Sequence, residues 1–419
     1  MSEFTYKKNE LYCEGVRVAD IVKKAGTPAY IYSHAAFTGR LKELQSAFKG
    51  VNPLICYSMK ANSNLAVLRA LVKQGSGLDI VSGGELERAK RAGCPGERIV
   101  FAGVGKTDEE IAAAIRYGIL FFNVESLPEI EAINAVAAKL KKEATISLRI
   151  NPDVDPRTHH HISTGKKESK FGIDLLRAEE AFINRKKYPY VNLAGLHVHI
   201  GSQIESGVPF VHAFKKVTKF ISDLKNDGVD LKFLNIGGGL GVTYNHEKPQ
   251  TARDYAAKVA PILKKTGLKI IMEPGRFISA NSGVLASKVI YVKETDVKHF
   301  AIIDAAMNDL IRPSFYDAYH RIEPVVRKKS KTVVYDVVGP VCESGDYLAK
   351  GRKLPEVKRG DLIAVFSAGA YGYVMSSNYN TRGRAVEVLV KGSSFDVVKK
   401  REAVSELLAG EVIPAYLKK

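Results

Sequence analysis

Between about residue 35 and residue 280 the chain alternates two patterns of apolar and polar positions. Short apolar runs stand at 54–58 (LICYS), 78–81 (LDIV), 98–102 (RIVFA), 119–124 (ILFFNV), 145–150 (TISLRI), 193–200 (LAGLHVHI), 232–236 (KFLNI) and 269–273 (KIIME). Runs of this length read as buried strands. Between them, as in 64–75, 84–93, 108–118 and 208–228, apolar residues recur at helical spacing. Several of these stretches end at a glycine after a basic last turn, the expected helix stop. Eight strand–helix repeats predict a closed parallel (β/α)8 barrel rather than an open sheet.

Beyond about residue 282 the pattern changes to β-rich runs separated by Gly, Pro and charged turns, as in KTVVYDVVGP and DLIAVFSAG. The expected fold is therefore α/β: a TIM-like (β/α)8 barrel over 35–280 with a second, mostly antiparallel β domain, sandwich or barrel, over 281–419. Only 307–319 and a terminal REAVSELLAG read as helical there. Residues 1–34 read as strands, including YIYS, that join the β domain.

Composition narrows the function classes without choosing one. A chain of 419 residues exceeds one core of ordinary size, and 45% apolar with 26% charged content suits a soluble protein. The N-terminus lacks the apolar stretch of a signal peptide, and no segment has the apolar length of a membrane span. The cysteines Cys13, Cys56, Cys94 and Cys342 are scattered without CxxC spacing, which fits a reducing, cytoplasmic setting. A net charge of +18 invites a nucleic-acid reading. The lysines are spread, with no basic cluster interleaved with aromatics, so a solvated basic surface is preferred.

In a (β/α)8 barrel the βα loops gather at the C-terminal ends of the strands, and the unusual residues fall there. Lys60 follows the first strand, Asp79 lies in the second, and Arg149 closes the fifth. HVHIGSQ, GGGLG and MEPGR follow the sixth, seventh and eighth. The glycines at 237–241 leave amides open to a phosphate, or form an ordinary flexible turn. They match neither the dinucleotide fingerprint nor the P-loop. His197 and His199 alternate on one strand face without a third metal ligand nearby, and His159, His160 and His161 sit in a polar loop, so no metal is expected. A lysine beside a single-phosphate site suggests a carbonyl cofactor such as pyridoxal phosphate (PLP), with Glu273 as partner of its ring nitrogen. The alternative for Glu273 is an ion pair with Arg276.

YSMKAN, HVHIGSQ, GGGLG, EPGR, RPSFYDAYH, GPVCESGD and GAYG, in this order over essentially the whole chain, resemble the diaminopimelate decarboxylases. That family has the alanine-racemase-like fold and uses PLP. The resemblance implies decarboxylation of meso-2,6-diaminopimelate to L-lysine and CO2, the last step of lysine biosynthesis. It implies that Lys60 holds PLP as a Schiff base, that His199 stacks on the ring and that Glu273 pairs with the ring nitrogen. Gly238, Gly239, Gly275 and Arg276 would bind the phosphate, with Asp79, Arg149, Ser202 and Tyr371 completing the cofactor site. Arg276, Arg312, Tyr316, Glu343 and Tyr371 would contact substrate, and Cys342 would donate a proton to the carbanion. Cys342 and Glu343 would act across a homodimer.

Ornithine or arginine decarboxylases of the same fold are the nearest rivals. They typically place an aspartate after the cysteine, where Glu343 stands here, and their substrates lack the distal carboxylate that Arg312 would hold. A racemase would want an arginine on the ring nitrogen, and a PLP carrier would have little use for Arg312, Cys342 and Glu343 together. Closure of the loop 163–172 over substrate stays open.

Overall fold

Residues 3–154 and 170–418 are described by the structure, a computed structural model. The chain divides into two units, Phe37–Ser279 and Met1–Ala36 with Ala280–Lys419.

The first unit is a closed parallel barrel. Its strands, in order, are Leu54–Ser58, Gly77–Ile80, Ile99–Phe101, Phe121–Val124, Ala144–Arg149, Val191–His197, Phe233–Asn235 and Lys269–Met272. Each pairs with the next, and the eighth closes on the first through Ile271 with Leu54 and Met272 with Ile55. Strands covered on both faces are near-continuous apolar runs, which is why the sequence shows them so plainly. The connecting helices carry their own boundaries. Asp108–Tyr117 opens on a Thr107/Glu110 capping box and stops at Gly118 in the left-handed region (φ +74°). Pairing register matters for the site: Ser58 lies beside Asp79, and His197 lies beside both Arg149 and Asn235.

The second unit holds a nine-stranded sheet in which antiparallel pairings dominate. Two pairings are parallel, His299–Ile303 with Thr332–Val338 and Ala29–Ser33 with Val386–Lys391. The strand Ala29–Ser33 also pairs with Gly283–Glu294, so the N-terminal segment is built into this sheet. A smaller sheet, Phe4–Lys7, Glu10–Cys13 and Val16–Arg17, packs its Phe4, Leu11 and Cys13 into the same core as Ile31, Val284 and Val388.

Three local expectations need correction. Residues 18–25 are a helix, not strand, because Val18, Ile21, Val22 and Ala25 fall on one helical face. Only Arg312–Tyr316 of 307–319 is helical; Pro313 opens it and Asp317, at φ +50°, ends it. The sixth barrel strand stops at His197, so His199 lies beyond it. No helix among the described residues is long and apolar enough to cross a membrane.

Candidate functional site

One side chain from each even-numbered barrel strand gathers at the C-terminal mouth: Asp79, Asn123, His197 and, just past the eighth strand, Glu273. Alternate strands supplying one layer is the usual way such a barrel fills its interior, ordinarily with branched aliphatics. Here all four residues are polar and buried. A buried carboxylate persists only when it is paired and hydrogen-bonded. Glu273 meets both conditions. Its Oε1 accepts from Asn123 Nδ2 at 2.7 Å and from Asn235 Nδ2 at 2.5 Å, and its Oε2 lies 3.1 Å from His197 Nε2.

The two carboxyls of this layer are driven in opposite directions. Burial pushes the Glu273 carboxyl up, but the charge of His197 and hydrogen bonds from His197 and Asn235 outweigh it and hold the group at about 2. Burial and the neighbouring Glu273 push Asp79 well above the ordinary carboxylate range, against the charge of Lys60 and a Ser58 hydroxyl that donates at 2.5 Å. Two carboxyls of one site pushed in opposite directions are a common sign of a reaction site. Glu273 pairs with His197 and not with Arg276, which removes the bland reading of that carboxylate.

Around this layer stand the other expected groups. Lys60 is exposed on the short helical turn Met59–Ala61 that follows the first strand. Arg149 is buried, bonded to Glu125 Oε1 at 2.7 Å, with its guanidinium 4.6 Å from the Phe171 ring centre. Glu125 Oε2 in turn accepts the Gly172 amide at 2.9 Å. His199 accepts the Gly238 amide on Nδ1 at 3.3 Å. Burial and the charges of Arg149 and Lys60 keep its imidazole well below the usual range, hence neutral. Arg276 donates to Ser202 Oγ at 3.1 Å and to Tyr244 Oη at 2.7 Å. Asn235, Asn123, Glu125 and Tyr244 are not among the expected site residues, and the sequence assigns His197 no role of its own. Their signal in the sequence is a polar residue inside an apolar strand, as in FFNV and FLNI.

The glycine run forms a cradle rather than a loose turn. A Cβ at Gly238 would strike the Glu273 carbonyl, and one at Gly239 (φ +105°) would lie 2.5 Å from the Gly201 carbonyl. Only a bare backbone fits there. The Gly237 amide donates to Asn235 Oδ1 at 3.0 Å while its carbonyl accepts from the Glu273 amide at 2.8 Å. Thus the cradle and the carboxylate are tied together.

The remaining candidates lie in the β unit, where the turn bearing Arg312 and Tyr316 is joined to the loop bearing Cys342 and Glu343. Arg312 is buried, and its Nη1 lies 2.9 Å from His320 Nε2, whose ring is anchored at Nδ1 to the Phe366 carbonyl at 2.8 Å. Ser314, two residues on, donates to the Gly345 carbonyl at 2.5 Å, which ties the Arg312–Tyr316 turn to the loop bearing Cys342 and Glu343. Asp346 shapes that loop by accepting the amides of Val341 and Met307, each at 2.7 Å. Cys342 is exposed, alone among the four cysteines, and Glu343 is exposed beside it. Tyr371 holds a left-handed backbone (φ +55°) between Ala370 and Gly372. His159, His160, His161 and most of the 163–172 loop lie outside the described residues.

The barrel residues suit PLP: an amine, a side-chain-free anion cradle, a neutral imidazole and an ionised carboxylate meet at one mouth, and Asp79 Oδ1 is buried there without a hydrogen-bond partner among the described residues. Comparison with known proteins agrees. Residues 34–280 match the family model described as "Pyridoxal-dependent decarboxylase, pyridoxal binding domain". A diaminopimelate decarboxylase of Pseudomonas fluorescens is 47% identical over 412 residues, covering 98% of this chain and 99% of its own. The crystal structure of the Helicobacter pylori diaminopimelate decarboxylase complexed with L-lysine is 43% identical, with a TM-score of 0.90 over 93% of this chain and 98% of that one. That of the M. jannaschii enzyme in co-complex with L-lysine is 38% identical, with a TM-score of 0.94 over 99% of each chain.

Proposed function

Because the chain belongs to the pyridoxal-dependent decarboxylases and, among them, to the diaminopimelate decarboxylase family, we propose that it converts meso-2,6-diaminopimelate to L-lysine and CO2. Its cofactor is pyridoxal 5′-phosphate. When bound, the cofactor supplies a sink for the electron pair left behind as CO2 departs. The observation that carries the reading is Glu273, a buried carboxylate held ionised at the barrel mouth. A carboxylate at that point keeps a ring nitrogen protonated and favours carbanion chemistry over the weaker sink of a racemase.

The chain's own groups then take these roles. Lys60 holds the cofactor through its amine, and His199, being neutral, lies against the ring face without competing for Glu273. Gly238, Gly239, Gly275, Ser202 and Arg276 hold the phosphate, and Asp79 and Arg149 line the site. Arg312 takes the carboxylate that is kept, since a guanidinium offers a two-pronged fork and His320 fixes its direction. Glu343 takes the distal ammonium, Tyr316, Tyr371 and Arg276 complete the substrate contacts, and Cys342 Sγ carries the proton delivered to the reacting carbon. Cys342 and Glu343 serve the site of a second copy in a homodimer. The four unpaired cysteines support a cytoplasmic setting.

The test is CO2 release by PLP-loaded protein offered meso-diaminopimelate, ornithine and arginine separately. Release from diaminopimelate alone, with lysine as product, is expected. Release from ornithine or arginine instead would keep the chemistry and overturn the role given to Arg312.

A further inference from the structure

Glu273 is supported more heavily than a carboxylate needs merely to be buried. Its Oε1 is filled by two amide donors, Asn123 and Asn235. Its Oε2 faces His197 Nε2 at 3.1 Å, which leaves that oxygen one lone-pair direction for a further donor. The two asparagines are themselves fixed. The Asn123 carbonyl accepts from Lys106 Nζ at 2.9 Å, and Lys106 is buried against Glu129 at 2.5 Å. Asn235 Oδ1 accepts the first cradle amide, Gly237. His197 is buried; its Nε2 lies within ion-pair reach of Oε2 but off the line of a formed hydrogen bond, and its Nδ1 has no partner among the described residues.

Resting on the reading that Glu273 meets the cofactor's ring nitrogen, we propose that His197 is a positioning residue that sets the proton on that nitrogen, with Asn123 and Asn235 as its auxiliaries. The physical reason lies in competition for one proton. A carboxylate and a pyridine nitrogen of comparable basicity share a proton, and whichever is less stabilised as a base receives it. Two amide donors on Oε1 and the imidazole 3.1 Å from Oε2 stabilise the carboxylate form, so the proton stays on the ring. Remove the imidazole and the carboxylate loses a close polar contact in a low-dielectric site, where such contacts count most. The proton then moves toward Glu273, and the ring becomes a poorer sink although nothing touching substrate has changed. Asn235 also links this carboxylate to the phosphate cradle, so ring and phosphate ends are held in one register.

The experiment loads wild type, His197→Phe, His197→Gln and Glu273→Gln with ring-15N-labelled PLP and reads the nitrogen chemical shift, together with kcat and KM for meso-diaminopimelate. Wild type is expected to show a protonated ring nitrogen. In His197→Phe the signal moves toward neutral pyridine and kcat falls roughly 10- to 100-fold with little change in KM, the scale of one lost charged hydrogen bond. His197→Gln, which keeps an N–H donor, recovers part of both. A His197→Phe protein with a fully protonated nitrogen would overturn the proposal, whatever its kcat, since a purely structural defect leaves the shift in place. If His197→Phe does not fold, Asn123→Ala carries the same test: the shift moves in the same direction by less, and an unmoved signal overturns the proposal. Glu273→Gln separates the two levels. A neutral nitrogen there with a protonated one in His197→Phe rejects only the role of His197, whereas a protonated nitrogen in Glu273→Gln rejects the pairing on which it rests.

Discussion

Apart from the exposed Lys60 and the half-buried His199, the chemistry-bearing side chains of the barrel unit are buried and held by polar partners, whereas two of those in the β unit stand in solvent on a loop. Glu273 has three polar neighbours within 3.1 Å, and Arg149, Asp79 and Arg276 each have a fixed partner. Cys342 and Glu343 are exposed, and Cys342 is fixed through its backbone, whose amide donates to Asn380 at 2.8 Å. The contrast follows what each unit is proposed to handle. A resident cofactor needs one unchanging geometry, which strand ends in a closed barrel supply. A substrate must enter and leave, and groups on a surface loop allow that. Arg312 departs from the pattern, being buried and braced by His320, as suits the group that chooses between substrates.

The sharpest way to break this comparison is to remove one residue from each side. Lys60→Ala is expected to abolish covalent attachment of PLP and to lower kcat by at least about a thousandfold, since groups that act as a unit fail together. Borohydride reduction followed by peptide mapping reads the attachment; label still fixed in the Lys60→Ala protein would put the attachment site elsewhere. Cys342→Ala should lower kcat by about a hundredfold or more, the usual value of a positioned proton donor, with PLP affinity unchanged. A cofactor affinity that fell along with kcat would mean that the loop shapes the cofactor site and does not act on substrate alone.

Arg312→Ala tests the exception. Loss of a charged, bidentate contact raises KM for diaminopimelate by roughly 10- to 100-fold while PLP binding stays as it was. His320→Phe, which removes the acceptor facing Arg312, should move KM in the same direction by less. An unchanged KM in Arg312→Ala would leave the distal carboxylate without its assigned partner.

How much of this was legible before the structure depended on where each residue lies. The eight barrel strands were readable because burial on both faces makes them mostly apolar, and Lys60 and Glu273 stood out because they interrupt such runs at their ends. Asn123 and Asn235 lie within strands, and a single polar residue there gives no sign of whether it faces the barrel axis or the helices. Their partnership with Glu273 spans 150 and 38 residues of sequence and exists only once the barrel closes. The strands Tyr347–Pro355 and Ser394–Lys399 were missed for the opposite reason. Ser394–Lys399 is largely exposed, and Tyr347–Pro355 has a polar, partly exposed middle, KGRK, so neighbouring strands rather than their own pattern hold them. His320 closes the motif RPSFYDAYH, but its role is invisible there, because only the fold brings its ring onto Arg312.

The smallest effect expected is on stability, and it returns to the barrel mouth. Glu85, in the first turn of the helix Gly83–Arg91, accepts the Val81 amide at 2.7 Å. Burial raises its carboxyl to about 7, although that hydrogen bond and the charges of Lys60 and Arg88 pull it down; its ordinary value is 4.5. Between these two values the folded protein keeps a proton that the unfolded chain has released. Stability contributed by this group is therefore whole below 4.5, declines as pH rises toward 7 and is level above it. Glu85→Gln retains an oxygen for the Val81 amide and cannot titrate. Variant and wild type should melt alike near pH 4.5, and the variant should be the more stable above pH 7, by at most about 3 kcal/mol. Thermal unfolding of the holoenzyme across that range reads the difference directly. Parallel pH profiles for the two proteins would show that Glu85 is ionised in the folded state, with the mouth of the barrel wetter at the second strand than its buried carboxyls imply.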